Sequence, residues 1–137
     1  MLTTKTAHQK QTSTVPKPIH VGLIGYGYWG PNLARNINDA AGVQLSVIAE
    51  QEPDRLSLAK KRFPQIDAVS DALRLVQDPR LDAVILATPM STHAALARKA
   101  LEAGKHVLVA KPLAASSEEC EQLIALAERE QRVLMVD

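Results

Sequence analysis

A glycine-rich segment that directly follows a short apolar run constrains this sequence more than any other feature. Ile19–Ile24 is mostly apolar, and Gly25–Gly30 follows it with the spacing Gly-x-Gly-x-x-Gly. Pro31–Asn38 then has the pattern of a helix, with proline in the first turn, where it is tolerated. Parallel α/β folds bind phosphate groups where a strand passes through spaced glycines into a helix. The segment therefore predicts a strand–turn–helix unit whose turn faces an anionic ligand.

Each glycine of this turn has a separate predicted task. Gly25 permits the tight turn out of the strand, and Gly27 lets a phosphate approach the backbone without meeting a Cβ atom. Gly30 lets the helix pack closely against the strand. Tyr28 and Trp29 lie within the turn, and we include them among the predicted cofactor-binding residues. Packing against neighbouring helices or a partner domain is the alternative for their rings.

Glu50 extends the prediction from a phosphate to a dinucleotide. It ends a second predicted strand, Val43–Ala49, about 20 residues beyond Gly30, where an acid accepts hydrogen bonds from adenosine ribose hydroxyls. Its charge repels the 2′-phosphate of NADP, so NAD is the predicted cofactor and NADP is less favoured. Arg55 is close enough in sequence to turn towards a phosphate, which weakens that preference. An ordinary charged strand end is the alternative interpretation of Glu50.

Strand and helix patterns continue to alternate along the rest of the sequence. Leu81–Thr88 contains a nearly unbroken apolar run, which is typical of a central parallel strand covered on both faces. Six strands alternating with helices predict a doubly wound parallel α/β sheet with a Rossmann fold. Ligands of such sheets bind beyond the carboxyl ends of the strands. The other predicted strands are Ile66–Val69, Val107–Ala110 and Val133–Val136.

Helix patterns lead to three detailed expectations about single side chains. A short helix capped by Ser70 or Asp71 is expected to turn Leu73 and Val76 towards the core. Ser91 is expected to cap the helix that follows the central strand. The last helix is expected to include Ile124 in its buried apolar stripe.

Composition argues against several other classes of protein. The 137 residues suit one domain, and a net charge of +1 does not suggest the basic stripe of a nucleic-acid-binding protein. No apolar stretch approaches the roughly 20 residues that cross a bilayer. Cys120 is the only cysteine, so no intrachain disulfide is expected, and a reducing cytoplasmic compartment is favoured. No cluster of metal ligands surrounds it, and no metal site is predicted.

The first 18 residues differ from the remainder. They are rich in Thr, Gln and Lys and contain no acidic residue. They also lack the apolar stretch of a secretory signal. We expect a disordered tail over residues 1–18, with a targeting segment as the less favoured alternative. The dinucleotide-binding domain is expected over residues 19–137.

Four segments, taken in order, carry a family resemblance. Gly22–Asn36 reads GLIGYGYWGPNLARN, Glu50–Arg55 reads EQEPDR, Ala87–His93 reads ATPMSTH and Ala103–Leu113 reads AGKHVLVAKPL. Together they resemble the N-terminal half of the Gfo/Idh/MocA family, the glucose–fructose oxidoreductase and inositol dehydrogenase group. The first segment is most similar to the family's sugar-nucleotide dehydrogenase branch. The resemblance covers nearly all of residues 19–137.

The resemblance implies further roles at the site. Thr88 and Pro89 would end the fourth strand beside the adenosine ribose and the nicotinamide side of the cofactor. His93 would line the cofactor cleft, and a helix-start hydrogen bond is favoured over a catalytic role for it. Lys111 matches the lysine of the family's Glu-Lys-Pro motif, where it could bond the substrate hydroxyl and assist proton transfer. The implied reaction is hydride transfer between nicotinamide and a sugar, sugar-nucleotide or cyclitol carbon.

The sequence departs from the family pattern in two ways. Ala110 replaces the glutamate that usually precedes Lys111 and helps to order the cofactor side of the site in relatives. Family members also continue beyond the position of Asp137 into a C-terminal substrate domain, which we expect to be absent here. The leading expectation is therefore the NAD(P)-binding domain of such an oxidoreductase, with turnover by this chain alone left open. The alternatives are a non-catalytic NAD-binding or partner-binding module, and a half-enzyme completed by a separate C-terminal chain; a homo-oligomer is equally open.

Overall fold

Six parallel strands form the centre of the fold in the computed structural model, which describes residues 15–137. Residues 15–18 are exposed and have no helix or strand, and the rest of the predicted tail lies outside the described residues. A short 3₁₀ helix at Met90–Thr92 precedes α4. In chain order the elements are β1 (Ile19–Ile24), α1 (Gly30–Asp39), β2 (Val43–Ala49), α2 (Pro53–Arg62), β3 (Asp67–Val69), α3 (Ala72–Val76), β4 (Ala83–Leu86), α4 (His93–Glu102), β5 (His106–Val109), α5 (Ser117–Arg129) and β6 (Leu134–Val136).

The strand order confirms the predicted doubly wound sheet. The strands lie in the order β3-β2-β1-β4-β5-β6, and every neighbouring pair is parallel. The first three strands proceed outwards in one direction and the last three in the other. The order therefore reverses between β1 and β4, at the middle of the sheet.

The central strand β1 shows why this sheet needs helices on both faces. Val21 and Leu23 are buried in the core cluster that includes residues of α1 and α2. Gly22 faces the other side, where an added Cβ would lie 2.7 Å from side-chain atoms of both Leu75 and Leu81. Alternate residues of a strand face opposite sides of its sheet, so β1 is covered from both directions.

Two predictions about core side chains are wrong. On α3, Val76 is buried as expected, but Leu73 is 39% exposed and Leu75 is buried in its place. Ile124 is 49% exposed, and Leu126 is buried on α5 in its place. On α5 the buried residues Leu126 and Ala127 follow Leu123 by three and four positions, so they share one face of the helix. On α3 the buried residues are adjacent, and in each helix the exposed residue lies on a different side.

The helix caps agree with the sequence at two positions and differ at one. Asp71 is the cap of α3, because its side chain accepts a hydrogen bond from the Leu73 N–H at 2.9 Å. Ser116, which has capping-box spacing with Glu119 in the sequence, caps α5. Ser91 does not cap α4, because the chain first forms the 3₁₀ turn, and Thr92 precedes the helix.

Candidate functional site

Four loops meet at the carboxyl edge of the sheet, next to the reversal between β1 and β4. In open parallel sheets the crevice outside the carboxyl ends of the strands at this reversal is where ligands bind. This edge is therefore the candidate site. The loops after β1, β2, β4 and β5, with the helix starts beyond them, contain all the predicted site residues: Gly25, Gly27, Tyr28, Trp29, Gly30, Glu50, Thr88, Pro89, His93 and Lys111.

Two glycines of the loop after β1 are required by the packing of the chain itself. Gly25 has a φ angle of +97°, and a Cβ there would lie 2.4 Å from the carbonyl oxygen of Ala87. A Cβ on Gly30 would lie 2.5 Å from the carbonyl oxygen of Gly25. Both distances are shorter than any real Cβ contact, so larger residues would move the loop away from β4 or α1.

Gly27 is different, because nothing in the fold requires a glycine there. Its φ angle lies outside the left-handed region. Among the described residues, only Nη1 of Arg55 comes within 4 Å of an added Cβ, at 3.6 Å. The space above Gly27 is thus left open by the chain, as a backbone that must admit a phosphate requires.

Main-chain N–H groups of the same loop have no acceptors in the described part of the chain. The start of α1 has no side-chain cap at Trp29. Within residues 15–137 the N–H groups of Gly27, Tyr28 and Trp29 make no hydrogen bond, whereas that of Tyr26 does. Unpaired N–H groups at a helix N-terminus carry partial positive charge and bind anions.

Glu50 holds the glycine loop against the end of β2. Its Oε2 accepts a hydrogen bond from the Tyr26 N–H at 2.7 Å, and its Oε1 accepts one from the Glu52 N–H at 3.0 Å. A carboxylate has about four acceptor positions, so it can still accept hydrogen bonds from ribose hydroxyls. Two hydrogen bonds therefore fix the position of the Glu50 carboxylate beside the glycine loop.

Three aromatic residues of the loop have separate environments. Tyr26 is buried, and burial raises the pKa of its phenol above the ordinary value of 10.0, while nearby Arg62 acts in the opposite direction. Tyr28 and Trp29 are 82% and 58% exposed. Their rings meet edge to face, with 4.9 Å between the ring centroids. The first ring is thus part of the core, and the other two are available to a ligand or a partner surface.

His93, the first residue of α4, links the loops after β4 and β5. Its ring is 1% exposed. Nε2 lies 2.8 Å from the carbonyl oxygen of Thr88, and Nδ1 lies 2.7 Å from that of Pro112. Carbonyl oxygens only accept hydrogen bonds, so the ring donates to them through the nitrogen that carries a hydrogen. Both nitrogens are occupied by main-chain atoms.

Lys111 lies at the same edge of the sheet, in the loop after β5. Its side chain is exposed and makes no hydrogen bond or ion pair within the described part of the chain. Its N–H donates to the carbonyl oxygen of Asp137 at 2.9 Å, and the peptide bond to Pro112 is cis. Ala110 precedes it, half-buried, with its N–H bonded to the Leu86 carbonyl at 2.9 Å. The main chain of this loop is therefore fixed, while the lysine amine has no partner among the described residues and position 110 supplies no carboxylate.

Sequence reasoning missed two links within this site. The hydrogen bond from the Tyr26 N–H to Glu50 was missed because the sequence pattern assigned the acid to a ribose. The pattern gives little indication that the acid contacts the glycine loop. The double contact of His93 depends on Pro112, 19 residues away. Elsewhere in residues 15–137, no group of three or more His, Cys, Asp or Glu residues could hold a metal ion. Among the helices of the same residues, none has the length and apolar character needed to cross a membrane.

Comparison with known proteins places this geometry among oxidoreductases. The family model Gfo/Idh/MocA, described as an oxidoreductase family with an NAD-binding Rossmann fold, matches residues 19–137. The uncharacterized oxidoreductase YdgJ of Escherichia coli is 40% identical over 119 residues, which are 86% of this chain and 34% of that protein. Inositol 2-dehydrogenase 1 of Saccharopolyspora erythraea is 33% identical over 109 residues, covering 78% of this chain and 32% of its own length.

Solved structures agree with the fold. Biliverdin reductase of Synechocystis, in complex with biliverdin and NADP⁺, superposes with a TM-score of 0.85 at 29% identity. That match covers 88% of this chain and 38% of the reductase. The chain thus spans about a third of the length of the curated relatives it matches.

Proposed function

Because this chain belongs to the Gfo/Idh/MocA oxidoreductase family, we propose that its dinucleotide site serves hydride transfer to or from a sugar, sugar-nucleotide or cyclitol carbon. The family supports the dinucleotide, and one relative is named for a cyclitol, inositol. The substrate class also follows the similarity of the glycine segment to sugar-nucleotide dehydrogenases. Bound nicotinamide would supply the hydride acceptor or donor.

The open space above Gly27 is the observation that carries this proposal. Neither backbone conformation nor packing of the chain accounts for a glycine at this position. The unpaired N–H groups of Tyr28 and Trp29 lie beside it. A pyrophosphate fits both features, because it needs close approach to the backbone and several donors.

Each loop of the carboxyl edge has a role in this proposal. The Gly25–Gly30 loop binds the pyrophosphate, and Glu50 accepts hydrogen bonds from the adenosine ribose. Thr88 and Pro89 border the nicotinamide side. Lys111 hydrogen-bonds the substrate hydroxyl and assists transfer of its proton.

His93 is a positioning residue in this proposal. Its two nitrogens are bonded to the carbonyls of Thr88 and Pro112 inside the fold. No nitrogen is left to exchange a proton with a substrate. It keeps the loop that carries Lys111 at a set distance from the end of β4.

We propose NAD as the preferred cofactor over NADP. The Glu50 carboxylate is held by two N–H groups, so it cannot turn aside easily when a 2′-phosphate approaches its ribose. The repulsion between this carboxylate and the 2′-phosphate disfavours the binding of NADP. Calorimetric titration of the chain with NAD and with NADP measures the preference, and tighter binding of NADP would contradict it.

The substitution Gly27→Ala tests the dinucleotide site itself. The added Cβ meets only the flexible end of Arg55, so the free energy of unfolding should stay within about 0.5 kcal/mol of the original, as for surface changes. The Kd for NAD should rise at least tenfold, roughly the loss of one hydrogen bond to a charged group. Unchanged NAD affinity in a folded Gly27→Ala protein, or no NAD binding by the original, would refute the proposal.

Ala110 favours a second candidate function, that of a dinucleotide-binding module without turnover. The family resemblance implies a glutamate before the lysine, and the loop here has alanine at that position. The two candidates differ in nicotinamide absorbance during incubation with sugars and cyclitols. Binding of NAD with no change in absorbance for the complete protein supports the module.

A further inference from the structure

Arg55 lies over the glycine of the loop that is open to a ligand. Its Nη1 atom is 3.6 Å from the point that a Cβ on Gly27 would occupy. Apart from the chain neighbours of Gly27, no other heavy atom of the described residues comes within 4 Å of that point. A phosphate that rests on Gly27 would therefore lie within reach of the guanidinium.

The place of Arg55 in its helix is unfavourable for a cation. It belongs to the first turn of α2, after Pro53 and Asp54. The N-terminal end of a helix carries partial positive charge, which stabilises acidic side chains there and destabilises basic ones. The helix itself gives no reason for an arginine at this position.

Arg55 is also without a protein partner in the part of the chain that the structure describes. It makes no ion pair and no hydrogen bond there, although Arg80 and Arg129 both pair with carboxylates. The carboxylate of Glu50, at the end of β2, is engaged with two N–H groups instead. The guanidinium thus keeps all five donors for a ligand.

We propose that Arg55 binds the pyrophosphate of the dinucleotide above Gly27, as a second source of positive charge beside the start of α1. This inference rests on the proposed function. The planar guanidinium matches phosphate oxygens with two parallel hydrogen bonds. The position above Gly27 assigns it to the pyrophosphate, whereas a 2′-phosphate would lie at the ribose, next to Glu50.

The substitution Arg55→Gln tests the contact, with Arg74→Gln as its matched control. Arg74 is exposed on α3 and lines a cavity with Asp67 and Arg80, away from the glycine loop. Each variant is titrated calorimetrically with ADP, NAD, NADP and adenosine. For Arg55→Gln we expect the Kd of ADP, NAD and NADP to rise roughly tenfold, as for a charge-assisted hydrogen bond. Adenosine, which has no phosphate, should bind as before, and Arg74→Gln should change nothing.

Three results separate the possibilities. A selective loss of NADP binding in Arg55→Gln would overturn the proposal by assigning the guanidinium to the 2′-phosphate. Equal affinities for NAD in the original and in Arg55→Gln would overturn it while leaving the dinucleotide site intact. No binding of either dinucleotide by the original protein would refute the site and this contact together.

Two further measurements exclude a structural cause. The thermal unfolding midpoint of Arg55→Gln should match that of the original, because the side chain is exposed and has no protein partner. Arg55→Lys keeps the charge without the planar fork. It should recover part of the lost NAD affinity, and a lysine variant as weak as Arg55→Gln would contradict a role for the charge.

Discussion

The two edges of the sheet treat their charged groups in opposite ways. At the amino edge, Arg80 lies 2.7 Å from carboxylate oxygens of both Asp67 and Asp78. Lys105 is buried there, and its Nζ donates to the carbonyl oxygens of Asp78 and Leu81, each at 2.7 Å. Burial lowers the pKa of Lys105 below its ordinary value of 10.5. Both of these cations are bonded to groups of the chain itself.

At the carboxyl edge the donors have no such partners. Within residues 15–137, the side chains of Arg55 and Lys111 form no hydrogen bond. The N–H groups of Gly27, Tyr28 and Trp29 are also without acceptors. Because both edges belong to one sheet, the difference does not come from the fold class. The bonded donors of the amino edge stabilise the fold, and the unbonded donors of the carboxyl edge support the proposal of an anionic ligand there.

The largest expected effect comes from Gly25→Ala, which changes the carboxyl edge without touching any charge. Alanine at a φ of +97° is strained, and its Cβ would lie 2.4 Å from the Ala87 carbonyl oxygen. We expect the free energy of unfolding to fall by about 4 kcal/mol, the sum of backbone strain and overpacking. Urea denaturation measures it.

Gly42→Ala is the control for this change. Gly42 has a φ angle of +78°, but no atom outside its chain neighbours lies within 4 Å of an added Cβ. Only the backbone strain remains, about 1–2 kcal/mol. Equal losses in the two variants would mean that the contact with β4 does not hold the glycine loop in place.

His93→Ala should have the next largest effect, because His93 is the exception at this edge. Its ring is bonded to the carbonyl oxygens of Thr88 and Pro112. Its removal leaves buried acceptors without donors, and we expect a loss of about 2–3 kcal/mol in unfolding free energy. His93→Gln retains an amide donor and should lose roughly half as much. An unfolding free energy unaffected by His93→Ala would show that the histidine does not position the Lys111 loop.

The glycine loop could be predicted from the sequence because its determinants are local. Gly25, Gly27 and Gly30 lie within a few residues of one another, and each acts through its own backbone. The contact of His93 with Pro112 spans 19 residues and depends on how two neighbouring strands are aligned. The partnerless state of Arg55 likewise requires the position of every neighbouring carboxylate. Local motifs therefore predicted where the candidate site lies, and three-dimensional packing was needed to find what surrounds it.

Helix faces were predictable only in part for a related reason. An apolar residue such as Leu73 or Ile124 indicates that a helix has a buried side, but neighbouring helices decide which apolar residues occupy it. On α5 the buried positions include Leu123 and Leu126. Ile124 is as hydrophobic as these residues, and only its direction around the helix differs from theirs.

The smallest effect is expected for Arg80→Gln, which tests the amino edge. The hydrogen bond from Arg80 holds the pKa of Asp78 below its ordinary value of 3.8. A carboxyl group whose pKa is lower in the folded protein stabilises the fold above its ordinary pKa, and that contribution is lost as pH falls through the lowered value. At neutral pH the original should therefore have a higher unfolding free energy than Arg80→Gln. The difference should be smaller than the losses in Gly25→Ala and His93→Ala, because the Arg80 side chain is 58% exposed and screened by solvent.

This difference between the original and Arg80→Gln should shrink in acid, and the Kd for NAD should be the same in both proteins. Urea denaturation at a series of pH values, with calorimetry at neutral pH, measures the two properties separately. A stability difference that persists below the lowered pKa of Asp78 would show that it does not come from the charged Arg80–Asp78 pair. Weaker NAD binding in Arg80→Gln would contradict the separation of the two edges, because the amino edge would then contribute to the ligand site.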